Sequence, residues 1–469
     1  MYIKQFYLGC LSIASYLIGD DKTKEAVIVD PLRDIDQYIE ESAKHGYTIK
    51  HVLLTHFHAD FVSGHLELKD RLDATIYMGD KAHADFPFTK LADGKGIEFG
   101  NVKITALSTP GHTPEAVCYL VYDLEKDKTA PHAVLTGDTL FIGDVGRPDL
   151  FASSGISTNE LAGLLYDSLH EKLLSLPDET IVYPGHGAGS MCGKNLSSET
   201  VSTIGAQRKF NYALKPMSKE DFIKAIACDQ PNVPKYFSKS AQLNRQERTM
   251  LHHNLEEKLN PLTLDEVLRL INEGAQVLDT RDPNAFAKEH LCDSINIGLG
   301  GKYATWAGTV LHHSEPIVLI CEPGTQGEAA TRLGRIGYDH IAGFLNGGIQ
   351  TIASRPDLKA SFKRVSAQET FDLAKQDKEI VILDVRNKGE WAASHIEGAM
   401  HIPLDELEDN IKKLPRDKKL LIHCAGGYRS SIAASILMKH DFKDLTDMIG
   451  GMSAWEKAKL PVKSAVAAH

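Results

Sequence analysis

The sequence predicts an α/β protein in three parts: a mixed α/β region, then two tandem α/β modules. Three observations carry this. At 469 residues the chain is too long for one hydrophobic core and suits two to four domains of about 100 to 200 residues each. Short β-rich runs alternate with helical spacing throughout. From about residue 262 onward the chain repeats itself, with Asp279/Asp384, Arg281/Arg386 and His290/His395 each 105 residues apart. These signals divide the chain into residues 1–245 with a terminal connector, 258–357 and 362–465.

In the first part the runs "AVIVD", "HVLLTH", "TIYMG", "VKITAL", "AVCYLVYD", "AVLTGD" and "TIVYPGH" read as short strands. "DIDQYIEESAKHG" places Ile35, Tyr38, Ile39 and Ala43 at helical spacing. His56, His112, Asp138 and His186 each stand at or just beyond the end of a strand-like run, where α/β folds gather functional groups on loops. They can therefore converge in one cleft.

In the second and third parts "VLDTRDPNAFAKEHLCDSINI" matches "ILDVRNKGEWAASHIEGAMHI". "VLICEPGTQGEAATRLGRIGYD" matches "LIHCAGGYRSSIAASILMKHDF", and Gly347–Gly348 matches Gly450–Gly451. Each unit is a candidate parallel, doubly wound sheet.

Composition excludes several classes. Hydrophobic residues make up 42% and charged residues 25%, with a net charge of -11, an acidic balance that offers no polyanion-binding surface, so nucleic acid is not an expected partner. The stretch "MYIKQFYLGCLSIASYLIGDD" reaches acidic residues before a membrane-spanning run accumulates, and is read as neither signal peptide nor span. Seven cysteines are scattered without a C-x-x-C pair, which argues against a disulfide framework and for a reducing cytoplasm.

The chemistry of the first part lies in "THFHADF" (His56, His58, Asp60, Phe61), "TPGHTPEAV" (His112), "TGDTLFIGDVGRPDL" (Asp138, Arg147) and "YPGHG" (His186). Together they form a nitrogen and oxygen ligand set for a metal. Their order and context resemble the metallo-β-lactamase superfamily, in particular its glyoxalase II and persulfide dioxygenase branch, which implies an αββα sandwich. In a two-metal hydrolase of that superfamily the residue after Asp60 is a second-metal histidine, and here it is Phe61. A thioester hydrolase of glyoxalase II type, the alternative function, thus loses a ligand. Two histidines and one carboxylate form the facial arrangement of non-haem Fe(II) oxygenases. The resemblance to persulfide dioxygenases implies His56, His112 and Asp138 as ligands of one Fe(II) per chain, with open positions for substrate sulfur and O2. His58, Asp60 and His186 then orient the ligands and bound water. Arg147 has two readings, partner of an anionic substrate or of a nearby aspartate. "GHGAGSMCGKN" departs from the glutathione-persulfide enzymes and resembles fusions of a persulfide dioxygenase with rhodanese modules, which puts Cys192 near the metal.

In the last part "HCAGGYRSS" sits between an apolar run, Lys419 to Ile422, and a helical stretch beginning near Ser430. Such a loop can turn its N–H groups inward at a helix N-terminus, and with Arg429 it forms an anion cradle that favours a thiolate at Cys424. With "DVR", "HIEGAMHIP" and "GGMSAW" in register the module resembles a rhodanese, and Cys424 aligns with the persulfide-bearing cysteine. The preceding module keeps Cys321, but its loop is "CEPGTQ". Gln326 replaces the arginine, Glu322 adds a negative charge, and Pro323 removes an N–H donor. It reads as a degenerate rhodanese, a spacer or scaffold.

The resemblances imply one pathway. A low-molecular-weight persulfide and O2 give thiol and sulfite, and sulfane sulfur carried on Cys424 converts sulfite to thiosulfate, detoxifying sulfide. The expected partners are these small molecules, with no membrane; a homo-oligomer stays open, as does the identity of the carrier thiol.

Overall fold

The computed structural model describes residues 1–151, 155–228, 230 and 232–464; the final residue of the third expected domain, 465, lies outside them. The chain divides into two compact units. One comprises Met1–His253 with Gly334–Gly337, the other Asn254–Leu333 with Tyr338–His469.

Among the described residues the first unit holds two six-stranded sheets, each laid out in chain order. Strand side chains alternate between faces, and the packing follows that alternation. Tyr16, Ile18, Val27 and Val29 share a buried cluster with Val102, Ile104, Val117, Tyr119, Val121 and Leu135 between the sheets. The intervening Leu17, Ala26 and Ile28 face outward onto Ile35, Tyr38, Leu66 and Leu68. On the far side of the second sheet, Cys118, Leu120, Val134 and Val182 pack on Leu165 and Leu169. The result is the expected αββα layering. The helix anticipated from the spacing of Ile35 to Ala43 spans Asp36–His45, and Gly46 closes it in the left-handed region at φ 69°.

The second unit carries two five-stranded parallel sheets with the same strand order. In the first, Gln276–Asp279 lies between Ile317–Ile320 and Ile295–Asn296. In the second, Ile380–Asp384 lies between Lys419–His423 and Met400–His401. Arg281 grips Asp279, and Arg386 grips Asp384, through the same Nε and Nη2 bonds of 2.6 to 3.1 Å. Each arginine's Nη2 also reaches a backbone carbonyl, of Glu289 and Ser394 respectively. The repeated D-x-R signature is therefore a structural clamp in both modules. No described helix is long and apolar enough to cross a membrane.

The Gly450–Gly451 pair turns the chain back under the Cys424 loop. Gly451 sits at φ 53°, and a β-carbon there would lie 2.2 Å from the Cys424 carbonyl oxygen. That carbonyl instead accepts from Met452 N at 2.7 Å, while Ala425 O accepts from Ser453 N at 2.9 Å. Gly451→Ala is expected to displace the loop, reducing sulfur transfer at least ~10-fold and lowering stability by about 1 to 3 kcal/mol. Thermal unfolding and sulfurtransferase assays of this variant check both effects.

Candidate metal centre and thiol loop

The first unit's polar residues gather at the C-terminal ends of its strands. Strand Thr48–Leu53 leads to His56, Val102–Ser108 to His112, Ala133–Gly137 to Asp138 and Ile181–Pro184 to His186. The last two strands pair in parallel, with Gly137 opposite Pro184, so Asp138 and His186 emerge side by side. His56, His112 and Asp138 offer ligand atoms all within 4.8 Å of one another, and all three are buried.

Hydrogen bonding fixes which nitrogen each ring presents. His112 Nδ1 lies 2.8 Å from Arg147 O, and His186 Nδ1 2.9 Å from Ser12 O. A carbonyl can only accept, so both Nδ1 atoms carry the proton. At His186 burial opposes charge, but the Asp138 and Asp60 carboxylates outweigh it and hold the imidazole well above its ordinary range, favouring a proton on Nε2 as well. At His112 the Nε2 lone pair turns inward. His56 reaches the same state by relay. Thr55 Oγ1 donates to Asp30 Oδ2 at 2.8 Å and so accepts from His56 Nδ1 at 3.0 Å. Asp138 Oδ2 then stands 3.5 Å from His112 Nε2, 3.9 Å from His56 Nε2 and 3.4 Å from His186 Nε2. Both Asp138 carboxylate oxygens are buried without a hydrogen-bond donor. A carboxylate in that state is costly unless a cation meets it. Gly185 crosses beside it, where a β-carbon would fall 2.6 Å from Asp138 Oδ1.

Electrostatics agree with a metal centre. Burial, then the neighbouring His58, hold the His56 imidazole well below its ordinary range, favouring the neutral ligand form. Burial pushes the Asp138 carboxyl up, but His186 and His56 outweigh it and bring the group below the usual carboxylate range.

His58 stands apart from the trio. Its Nε2 lies 3.0 Å from Asp30 Oδ1, and its ring packs on Phe61 with centroids 4.3 Å apart. Phe61 is fully buried, and its carbonyl, with that of His58, accepts from Asn244 Nδ2 at 2.8 Å. Asp60, His186 and Cys192 form a second buried group beside the first. Burial, then the Asp60 charge, pushes the Cys192 thiol up to about 12. Of the two readings for Arg147 the geometry favours the ion pair: Nε and Nη2 grip Asp149 at 2.7 Å each, and Nη1 donates to Met191 O. Its contribution to the centre is the carbonyl that orients His112.

Sequence reasoning missed Asp30 and Thr55. Asp30 takes a left-handed backbone at φ 51° and accepts from both Thr55 N and Thr55 Oγ1. Its one signal is its place directly after the strand "AVIV", as Asp138 directly follows Ala133–Gly137. Thr55→Val breaks the relay at nearly constant volume, and metal retention on dialysis against chelator is expected to fall ~10- to 100-fold.

In the second unit Gly427 N donates to Cys424 Sγ at 3.1 Å, and Ser430 Oγ lies 3.5 Å from it. The helix behind the loop runs Tyr428–Lys439, two residues earlier than expected, because Gly427 at φ 93° lets the chain enter it at once. Arg429, expected as the fixed positive charge of the loop, is held by an ion pair. Its Nη1 and Nη2 bind Glu390 Oε2 and Oε1 at 2.7 and 2.6 Å. It ties the loop to helix Lys388–Ala393; burial opposes its charge, but Glu390 and then Cys424 favour it. In the preceding module burial pushes the Cys321 thiol up to about 11, with Asp279 and Glu322 adding to it. At pH 7.5 Cys321 is therefore almost wholly protonated, and a limiting dose of iodoacetamide is expected to label Cys424 ~10-fold or more ahead of it, as mass spectrometry of the two peptides can measure.

Fold and ligand geometry together define a metallo-β-lactamase-fold enzyme with two rhodanese-like modules. The metallo-β-lactamase superfamily matches residues 8–186 and the rhodanese-like domain matches residues 263–355 and 367–458. More narrowly, the mitochondrial persulfide dioxygenase ETHE1 of Bos taurus is 32% identical over 226 residues, 47% of this chain and 78% of its own length, and the chain belongs to the family of this enzyme. The cytoplasmic hydroxyacylglutathione hydrolase of Arabidopsis thaliana is 35% identical over 187 residues, covering 39% and 67%. The crystal structure of a metallo-β-lactamase from Staphylococcus aureus subsp. aureus COL matches 74% of this chain and 98% of its own at 33% identity, with a TM-score of 0.66.

Proposed function

We propose that this enzyme oxidises a low-molecular-weight thiol persulfide with O2 and transfers sulfane sulfur to the sulfite formed. Its domains are 1–245, 258–357 and 362–465, and its setting is a reducing cytoplasm. The first reaction takes R–S–SH, O2 and H2O to R–SH, sulfite and two protons. In the second, sulfite attacks the outer sulfur of a Cys424 persulfide, the S–S bond breaks, and thiosulfate leaves with the Cys424 thiol restored.

The observation that carries the reading is the two-histidine, one-carboxylate trio next to Phe61. His56, His112 and Asp138 would hold one Fe(II), and their donor set fits it: two neutral imidazoles with fixed tautomers and a carboxylate whose oxygens have no other donor. Bound there, the ion supplies the one-electron chemistry that joins O2 to sulfur. The chain does the rest. Thr55 and Arg147 O hold the two rings in place, and the buried Phe61 and Phe141, whose rings lie 4.3 and 5.8 Å from those of His58 and His186, keep bulk water from the centre. Asp60 and His186, with Nε2 and Oδ2 3.5 Å apart, can accept and relay the protons released with sulfite. In the terminal module Gly427 N–H and Ser430 face the sulfur that carries the transferred atom.

O2 uptake with persulfides of glutathione, coenzyme A and cysteine, with thioester hydrolysis run in parallel, tests the proposal. Uptake with at least one persulfide and no thioester turnover is expected; thioester hydrolysis without uptake would contradict it. Phe61→His probes the same point from the other side. It restores the missing histidine, so bound metal is expected to rise above one ion per chain.

A further inference from the structure

The two rhodanese-like modules share a cysteine and a D-x-R clamp, and they differ in what stands behind the cysteine. In the terminal module Cys424 Sγ donates to Ser430 Oγ at 3.5 Å, and Cys424, Ser430 and Asp447 are each 0% exposed. Asp447 lies on strand Leu445–Met448, directly opposite Arg364 on the neighbouring strand. Arg364 Nε donates to Asp447 Oδ2 at 2.7 Å, and its Nη1 to Asn284 Oδ1 at 2.5 Å. The other carboxylate oxygen, Oδ1, is buried and bonded to no donor.

In the preceding module the offset that aligns Cys321 with Cys424 puts Gly327 at the place of Ser430 and Phe344 at the place of Asp447. Strand pairing sets Pro261 opposite Phe344, where the terminal module has Arg364 opposite Asp447. Hydroxyl, carboxylate and guanidinium are thus absent together around Cys321. A buried ion pair is weak support for stability, and the matching sheet is built without one. The trio accompanies the loop read as active, while the clamp common to both modules serves the fold.

The chemistry calls for such a group. Sulfur transfer uses Cys424 as a thiolate, and bulk water does not touch its buried sulfur. Ser430 accepts from the thiol, which leaves the serine's own hydrogen for a second acceptor. The carboxylate on which that hydroxyl acts is Asp447. Burial pushes the Asp447 carboxyl up to about 6, against the opposing pull of Arg364 and Ser430. It is therefore ionised at pH 7.5 and still basic enough to take a proton, the range that favours general base catalysis.

We infer that Ser430 and Asp447 form the path by which the Cys424 thiol gives up its proton, with Arg364 holding the carboxylate in position. The inference rests on Cys424 being the transfer residue. As Cys424 Sγ attacks the outer sulfur of thiosulfate, its proton passes to Ser430 Oγ and the Ser430 proton passes to Asp447 Oδ1. The thiosulfate S–S bond breaks, sulfite leaves with the electron pair, and Cys424 carries the persulfide. Cyanide then attacks the outer sulfur, thiocyanate forms, and the Cys424 sulfur leaves as a thiolate that afterwards takes the proton back along the same path. Loading needs the proton removed; discharge does not.

The test follows the two half-reactions of the full-length enzyme separately: sulfite released on mixing with thiosulfate, and thiocyanate released when preloaded enzyme meets cyanide. Asp447→Asn is expected to slow loading about 100-fold and to leave discharge within about twofold. Charge alone predicts the reverse, because removing a carboxylate favours both the thiolate and the approach of an anionic donor. Ser430→Ala keeps the Asp447–Arg364 pair and should reproduce the loading loss, which decides the matter should Asp447→Asn fold poorly. Ser430→Thr, with the hydroxyl restored, should recover most of the loading rate. The double variant Asp447→Asn/Ser430→Ala should fall no further than either single one, since both cut one path. Loading unchanged or faster in both single variants, or equal losses in loading and discharge, would overturn the assignment. Cyanide turnover surviving in Cys424→Ser would instead remove the transfer residue on which it rests, a failure recognisable because it needs neither path variant.

Discussion

Asp138→Ala is expected to abolish persulfide-dependent O2 uptake, a loss of at least ~1,000-fold, and to leave the purified protein nearly free of iron. The size of the effect follows from the geometry. Asp138 is the single anionic member of the trio, and its Oδ2 lies within 4 Å of His56, His112 and His186 Nε2. Removing it leaves two neutral nitrogens to hold a divalent ion and takes away the charge that favours binding. His112→Ala should behave similarly, since it deletes the ring aimed by Arg147 O. Asp60→Asn is the informative control. It sits in the neighbouring group and not in the trio, so iron should be retained while the rate falls. Metal analysis with O2-electrode traces for the three variants checks the set, and O2 uptake persisting in Asp138→Ala contradicts the ligand assignment.

Cys424→Ser is expected to remove nearly all sulfurtransferase activity and to shift the product from thiosulfate to sulfite, with O2 uptake largely intact. Cys321→Ser should leave both close to normal. Both cysteines sit at the end of a central parallel strand and in front of a helix, so position alone does not separate them. The loops do. Cys424 Sγ receives Gly427 N–H at 3.1 Å, a donor aimed at the charge that the thiolate carries. Around Cys321, Asp279 and Glu322 add to burial in disfavouring ionisation. Thr280 and Thr325 still offer Cys321 hydrogen bonds, so it is the surrounding negative charge that silences the first module without removing its cysteine. Product ratios by ion chromatography distinguish the variants, and thiosulfate still forming in Cys424→Ser would reassign the active module.

The parts of this account that the sequence discloses are those written in residue type and periodicity. His56, His112, Asp138 and His186 are legible because ligand-type residues recur directly after apolar runs, and the 105-residue repeat yields two sheets of identical order. Three features escape it, each through contacts remote along the chain. Asp30 supports His56 and His58 from a strand end that looks ordinary. Arg429 and Glu390 are 39 residues apart, and their pairing shows what fixes the loop's cation in place. Arg364 reaches Asn284 across 80 residues, which no spacing rule anticipates. Phe61 is the reverse case: one residue in a motif, readable at once, whose meaning depends on its being fully buried against His58.

The measurement that bears most directly on the central claim is the metal content of anaerobically purified enzyme, taken with the O2 consumed per persulfide turned over. One iron per chain and one O2 per persulfide are the predicted values. Two zinc ions per chain, with thioester hydrolysed and no O2 consumed, would show that the centre is a two-metal hydrolase despite Phe61.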